Sequence, residues 1–328
     1  MDTSDRSDLR DTSIPRSGVG RIFFGDDGLR AGWSLLLFLL LLAALIIGVH
    51  PVLIHFHPQS DPAAGAPAEI TARGTILSNG WQLAALFATI FLMSLIERRS
   101  FFRYGLARAR MVSDLGAGLF WGAAMLSVLV GTLALTRSLS FGGVVLRGSS
   151  AVFYAGEWLA AFFLVGLLEE YWFRGYLQFT LARGIAGIAS ASGRGKRHAR
   201  KIGFWISALV MGFFFVLSHT GNRGESSLGI VSAAIAGMVF AFSLYRTGSL
   251  WWAIVFHTAW DWAQSYFYGV ADSGAMVREH LLSAVPVGSP LLSGGTAGPE
   301  GSILVIPTLL VAALVIHLTL PRRDSGIA

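Results

Sequence analysis

From Ala31 to Ser60 the chain carries no Asp, Glu, Lys or Arg. A helix needs about 20 apolar residues to cross the hydrocarbon core of a bilayer, so this run alone is long enough. Similar runs recur, and we read eight spans at 31–54, 74–96, 115–136, 151–180, 202–220, 226–245, 248–268 and 301–320. The first thirty residues, by contrast, hold eleven charges. Charged residues make up 13% of the 328-residue chain and hydrophobic residues 54%. A soluble domain carries roughly 25% charged residues because its surface faces water. The expected fold is therefore all-α: a polytopic transmembrane helical bundle of about eight spans.

The net charge of +6 is explained by where the basic residues stand. Nineteen Lys and Arg lie on one side of the predicted spans: in the N-terminal tail, in the connections around 98–110, 183–201 and 246, and at Arg322 and Arg323. Five lie on the other: Arg73, Arg137, Arg147, Arg223 and Arg278. That bias is the positive-inside signal, and it places both termini in the cytoplasm. The partner it implies is a lipid bilayer, not a nucleic acid. A secretory signal peptide is not expected, because the first apolar run follows thirty polar residues and is too long. With no cysteine in the chain, disulfides and thiolate metal sites are excluded. The Gly-, Pro- and Ser-rich connection from Ala271 to Gly301 reads as lying outside the membrane, and the basic stretch Ser190–Lys201 as a mobile cytoplasmic loop.

Ionisable groups at membrane depth are costly and face a bundle interior or a hydrated cavity. Here they cluster in the second half: Glu157, Glu169, Glu170 and Arg174 in the fourth span, His219 closing the fifth, His257 and Asp261 in the seventh, His317 in the eighth. Glu170 and Arg174 are four apart, so they share a helical face and can pair. Glu169 is turned about 100° away, which leaves it free to point into a cavity as a general base; one buried structural network of all three is the alternative. His257 and Asp261 also share a face. That spacing allows a fixed imidazole tautomer, a metal site, or a plain helix-stabilising pair. Glu157 and His317 read as structural.

Taken in order, Glu169-Glu170-Tyr-Trp-Phe-Arg174, Phe215-x-x-x-His219 and His257-x-x-x-Asp261, each on its own span, resemble the CAAX protease and bacteriocin-processing family of intramembrane endopeptidases. The resemblance runs from about residue 150 to 268, and the segment Glu97 to Leu106 is similar to a basic loop of bacterial members. It implies that Glu169 and His219 position and activate water. It further implies that His257 and Asp261 support the oxyanion, and that Glu170 and Arg174 support the site. Asp261 stands where the family pattern also admits asparagine. An ionised aspartate cannot donate to an oxyanion, so Asp261 is protonated, orients His257, or binds a metal. Family members are commonly labelled metalloproteases. No cofactor is certain from the sequence, and Glu169, His219 and His257 are the residues that would take Zn2+ if one binds.

The chain accordingly divides into a polar cytoplasmic tail (1–30), N-terminal transmembrane helices (31–140), a protease-like catalytic core (141–270), and an outer loop with the last helix and a short tail (271–328). The expected protein is an integral membrane endopeptidase of a bacterial plasma membrane, acting on a membrane-associated peptide or protein. A non-catalytic immunity or scaffolding protein, or a transporter using the same cavity, are the competing readings. One difficulty stands. As straight rods, the spans put Glu169 near mid-depth, His257 toward the cytoplasm and His219 toward the outer end. A tilt, a kink, or a fifth helix starting later than residue 202 is needed to bring them together.

Overall fold

In the computed structural model, residues 18, 20–25, 28–56 and 68–322 are described; most of the N-terminal tail and residues 323–328 lie outside them. The long helices are α1 (Ala31–Phe56), α2 (Ala72–Glu97), α3 (Met111–Leu135), α4 (Gly148–Glu170), α5 (Gln178–Ala191), α6 (Lys196–His219), α7 (Ser227–Thr247), α8 (Trp251–Asp261) and α9 (Val305–Thr319). Among the described residues, six helical stretches are long and apolar enough to cross a membrane, α4 and α5 counting as one; α8 and α9 are shorter. Each of the eight predicted spans coincides with a helix. The outer surface is apolar, with Leu135 87% exposed, as expected where lipid rather than water is the neighbour. The protein is an integral membrane protein.

Local signals set the helix ends. The Thr71 side chain accepts a hydrogen bond from Gly74 N (3.2 Å) at the start of α2. Ser226 does the same for Gly229 N (2.9 Å) at the start of α7. Both satisfy amides that have no partner within their helix. Gly248, at φ +70°, ends α7 in the left-handed conformation that glycine adopts without strain. Arg246, expected in a connection, is the last-turn cation of that helix. Its Nη2 donates to the carbonyls of His317 (2.8 Å) and Leu320, closing the C-terminal end of α9.

One expectation about the connections is corrected. The stretch Ser190–Lys201 is not a loop throughout: α5 runs to Ala191 and α6 begins at Lys196, leaving a turn of 192–195. The polar residues that suggested a loop sit on helix surfaces. Arg183, for example, turns inward to Glu97, with Nη2 3.5 Å from Oε1. Glu97 also accepts from the hydroxyls of Tyr104 (3.1 Å) and Tyr176 (3.0 Å), so the basic 98–110 segment is fastened to α5. The 271–301 connection carries short strands. Its strands β3 (Ala275–Val277) and β4 (Leu282–Pro286) pair with β1 (Ala68–Ile70) and β2 (Leu139–Val144), in parallel and antiparallel register respectively.

The helix α8 packs unusually close to its neighbours. A Cβ at Gly118 would lie 2.7 Å from Trp252 O, one at Gly166 2.8 Å from Ile254 O, and one at Gly122 closer still to Phe256 O. Gly118 and Gly122 form a small-xxx-small stripe on α3, the device by which helices in lipid approach at backbone distance. Sequence reading did not pick it out. With glycines on two sides, α8 is held by its backbone. Gly122→Leu is therefore predicted to lower the thermal midpoint in detergent strongly or to abolish folding, overpacking costing about 1–3 kcal/mol or more. Gly131→Ala on the same helix meets nothing within 4 Å and is predicted to leave the midpoint unchanged.

Candidate functional site

The α4 helix changes character at the motif. Directly after Glu170 the chain makes a π-turn over Tyr171–Leu177, with Gly175 kinked out of helical geometry (φ −80°, ψ −114°). Directly after Asp261, α8 passes into a second π-turn over Trp262–Phe267. Such turns widen a helix locally and occur often at functional sites. Here each follows the last acidic residue of a motif.

These motif residues come together. Glu170 has no exposed area, and its Oε1 accepts from Arg174 Nη1 at 2.8 Å. The same oxygen lies 3.3 Å from His257 Nδ1. On the other side of the ring, His257 Nε2 lies 3.5 Å from Asp261 Oδ2 and 3.9 Å from Glu169 Oε2. Phe240 stacks on the imidazole at 5.6 Å. The Arg174 guanidinium lies 4.2 Å above the Phe215 ring, a favourable place for a desolvated cation. Three carboxylates thus surround one imidazole, and the buried Glu170 bridges it to the buried arginine.

Glu169 and His219 both line a cavity of about 290 Å³ between α2, α4 and the end of α6. The hairpin of α5 and α6 accounts for this meeting. Gly203 packs against Ala182 and Ala186, and Phe173 meets Phe215 edge-on at 5.4 Å. Continuing that register sets Glu169 level with His219. The depth difficulty therefore came from ending the fourth span too early and starting the fifth too late. The fifth helix starts earlier than residue 202, not later, and a kink at Gly175 supplies the rest.

His219 Nδ1 is 2.8 Å from Phe215 O, which leaves Nε2 as the other ring nitrogen. Glu169 Oε2 is buried with no hydrogen-bond partner among the described residues. Asp261 stands beside the His257 ring. Glu157 lies about three turns before Glu169 on α4 and pairs with Arg73 of α2 at 3.4 Å. Among the described residues, no three His, Asp or Glu side chains are grouped so as to hold a metal ion. Glu169, His219 and His257, the residues that would take a zinc, do not form such a group as placed.

Residues outside the motifs also reach the site. Asn79, Gln82, Ser218 and Asn222 line the cavity. In the 271–301 connection, Asp272 Oδ2 accepts from Ser265 Oγ at 3.2 Å, one turn beyond Asp261. Glu300 accepts from the backbone and hydroxyl of Ser273. Burial pushes the Asp272 carboxyl up to about 6, with His257 and the Ser265 hydrogen bond opposing. No sequence pattern marks these residues: Asp272 and Glu300 lie in a segment whose composition resembles a loop.

Residues 151–263 match a family model described as Type II CAAX prenyl endopeptidase Rce1-like. That segment is Rce1-like. It contains all six motif residues and agrees with the resemblance read from the sequence. Comparison with curated proteins and with solved structures gave no match.

Two outcomes follow from this geometry. Arg174→Met leaves Glu170 buried without its cation, and is predicted to destabilise the protein by about 3–5 kcal/mol in denaturant titrations. Glu170→Gln/Arg174→Met is predicted to recover part of that loss. The second concerns pH. Asp272 holds its proton more tightly in the folded protein than at its ordinary value of 3.8. The folded state thus binds more protons between about 4 and 6, and this group's contribution to stability falls as pH rises through that window. Asp272→Asn is predicted to flatten that part of the thermal midpoint's pH dependence.

Proposed function

We propose that this protein is an intramembrane endopeptidase that hydrolyses a peptide bond in a membrane-associated protein or peptide. The observation that carries the reading is the cavity shared by Glu169 and His219, with His257 behind Glu169 (Nε2 3.9 Å from Oε2) and held by Glu170 and Asp261. Glu169 Oε2 has no hydrogen-bond partner among the described residues, as a base requires before it takes a proton.

The chemistry then runs as general base catalysis. A water between Glu169 and His219 gives its proton to the Glu169 carboxylate while its oxygen attacks the scissile carbonyl carbon. His219, fixed through Nδ1 by Phe215 O, positions that water with its other ring nitrogen. His257 is oriented by Glu170 at Nδ1, and its Nε2–H, resting 3.5 Å from Asp261, turns to the developing oxyanion. Donors fixed in advance where charge develops supply much of the rate in such reactions. Asp261 acts in this scheme as the orienting partner of His257, so an ionised carboxylate there need not meet the oxyanion. The proton held by Glu169 passes to the leaving amine as the C–N bond breaks. Arg174 keeps Glu170 in place. No step in this scheme passes through a metal.

The active protein sits in a bacterial plasma membrane with both termini cytoplasmic, and the bilayer brings substrate to the cavity laterally. Purified protein is predicted to cleave a quenched-fluorescent membrane peptide from a diverse pool. Glu169→Gln is predicted to lower the rate at least 100-fold, the lower end of what a general base contributes (about 10²–10⁴-fold), with an unchanged circular dichroism spectrum. Activity should survive a chelator. Cleavage undiminished in Glu169→Gln would contradict the scheme, and loss to chelator with recovery on zinc would replace it with a metal-dependent one.

A further inference from the structure

The Rce1-like segment begins at residue 151, yet one wall of the cavity comes from before it. Asn79 and Gln82, three apart on α2, line the cavity together with Asn222 from the turn after α6. Three carboxamides thus ring Glu169 and His219. An amide side chain in an apolar bundle is costly unless its hydrogen bonds are made. Asn79 Nδ2 donates to Thr75 O at 2.9 Å and Gln82 Nε2 to Ser78 O at 2.9 Å, each one turn back on its own helix.

A carboxamide has two N–H donors and an acceptor oxygen. After those local bonds, Asn79 keeps a donor and an acceptor to offer, and Gln82, whose Nε2 also lies 3.4 Å from Ser78 Oγ, keeps its acceptor. A peptide group presents the complementary pair, one N–H and one C=O. A membrane-inserted substrate must unwind before its scissile bond can be attacked, and unwinding frees main-chain groups that lipid cannot satisfy. The rest of the lining carries no charge besides Glu169 and, when protonated, His219, while Leu168, Trp172 and Phe173 are apolar or aromatic.

Building on the proposed endopeptidase activity, we propose that Asn79, Gln82 and Asn222 bind the main chain of an unwound peptide segment beside the scissile bond. The site selects substrate by exposed backbone amides and apolar side chains, not by a charged residue. Asn79, Gln82 and Asn222 are specificity-determining groups, and α2 is part of the substrate site.

The test uses full-length protein carrying Glu169→Gln, so that peptide binds without turnover, and reads Kd by fluorescence anisotropy in detergent micelles. The probes are a labelled apolar membrane peptide that the wild type cleaves, and analogues in which one backbone amide near the scissile bond is replaced by an ester. Gln82→Met and Asn79→Leu are each expected to raise Kd about five- to tenfold, a hydrogen bond's net worth, with unchanged thermal midpoints. At one position the ester is expected to weaken binding by a similar factor, and to add nothing further in the Gln82→Met or Asn79→Leu protein. A midpoint that falls in Gln82→Met is met by Gln82→Glu, which keeps the acceptor and is expected to bind more tightly than Gln82→Met. Unchanged Kd in both variants, or ester and substitution effects that multiply at every position, overturns the inference. The endopeptidase reading fails separately, by wild-type cleavage that Glu169→Gln does not reduce.

Discussion

A carboxylate with no exposed area has to be neutralised where it stands, and the arrangement around Glu170 follows from that requirement. Its Oε1 accepts from Arg174 and faces His257. Arg174 rests against the Phe215 ring, so α6 is drawn to α4 where both carry motif residues. His257 in turn is set between Glu170 and Asp261. Buried pairs of this kind contribute little net stability, since desolvation offsets most of the attraction. What they fix is geometry: one position for the imidazole, and a neighbouring carboxylate, Glu169, left facing the cavity.

Backbone proximity makes that pairing possible. Glycines on α3 and α4 let α8 approach at backbone distance. Two π-turns then re-aim the chain after Glu170 and after Asp261. The 271–301 connection folds back over this end of the bundle. A Cβ on Gly274 would collide with Arg223 O, and Thr296 donates to Gly224 O at 2.8 Å. The turn carrying Asn222 is thereby held against the connection. A connection read as lying outside the membrane thus buttresses the turn that brings Asn222 to the cavity.

The parts legible in the sequence were those with long-range statistical signatures. Uncharged runs gave the helices because lipid tolerates few charges, and the i, i+4 spacings gave Glu170–Arg174 and His257–Asp261 because helical geometry makes those faces common. The hairpin was misread because Arg183, Arg194 and the basic start of α6 look like a solvated loop. In the structure, Arg183 serves a buried Glu97 and the basic residues from Lys196 sit on a helix. Gly118, Gly122 and Gly166 gave no signal, since a glycine's role depends on what packs against it. Asn79, Gln82 and Asp272 were invisible for the same reason. Their meaning lies in contacts across 87 or more residues of chain for the first two, and in the fold of a Gly-rich connection for the third.

The central claim is that the continuous hairpin from α4 to α6 sets Glu169 level with His219. It can be tested without any assay of function, because the chain has no cysteine. Cysteines placed at Phe173 and Phe215 would be the only two thiols in the protein. A short homobifunctional thiol reagent is predicted to join them in high yield in membranes, read as a band that stays intact after cleavage in the 192–195 turn. Failure of that pair, with efficient joining of residue 173 to a cysteine near Leu209 instead, would mean that 190–201 is a loop after all and that Glu169 and His219 do not share a cavity.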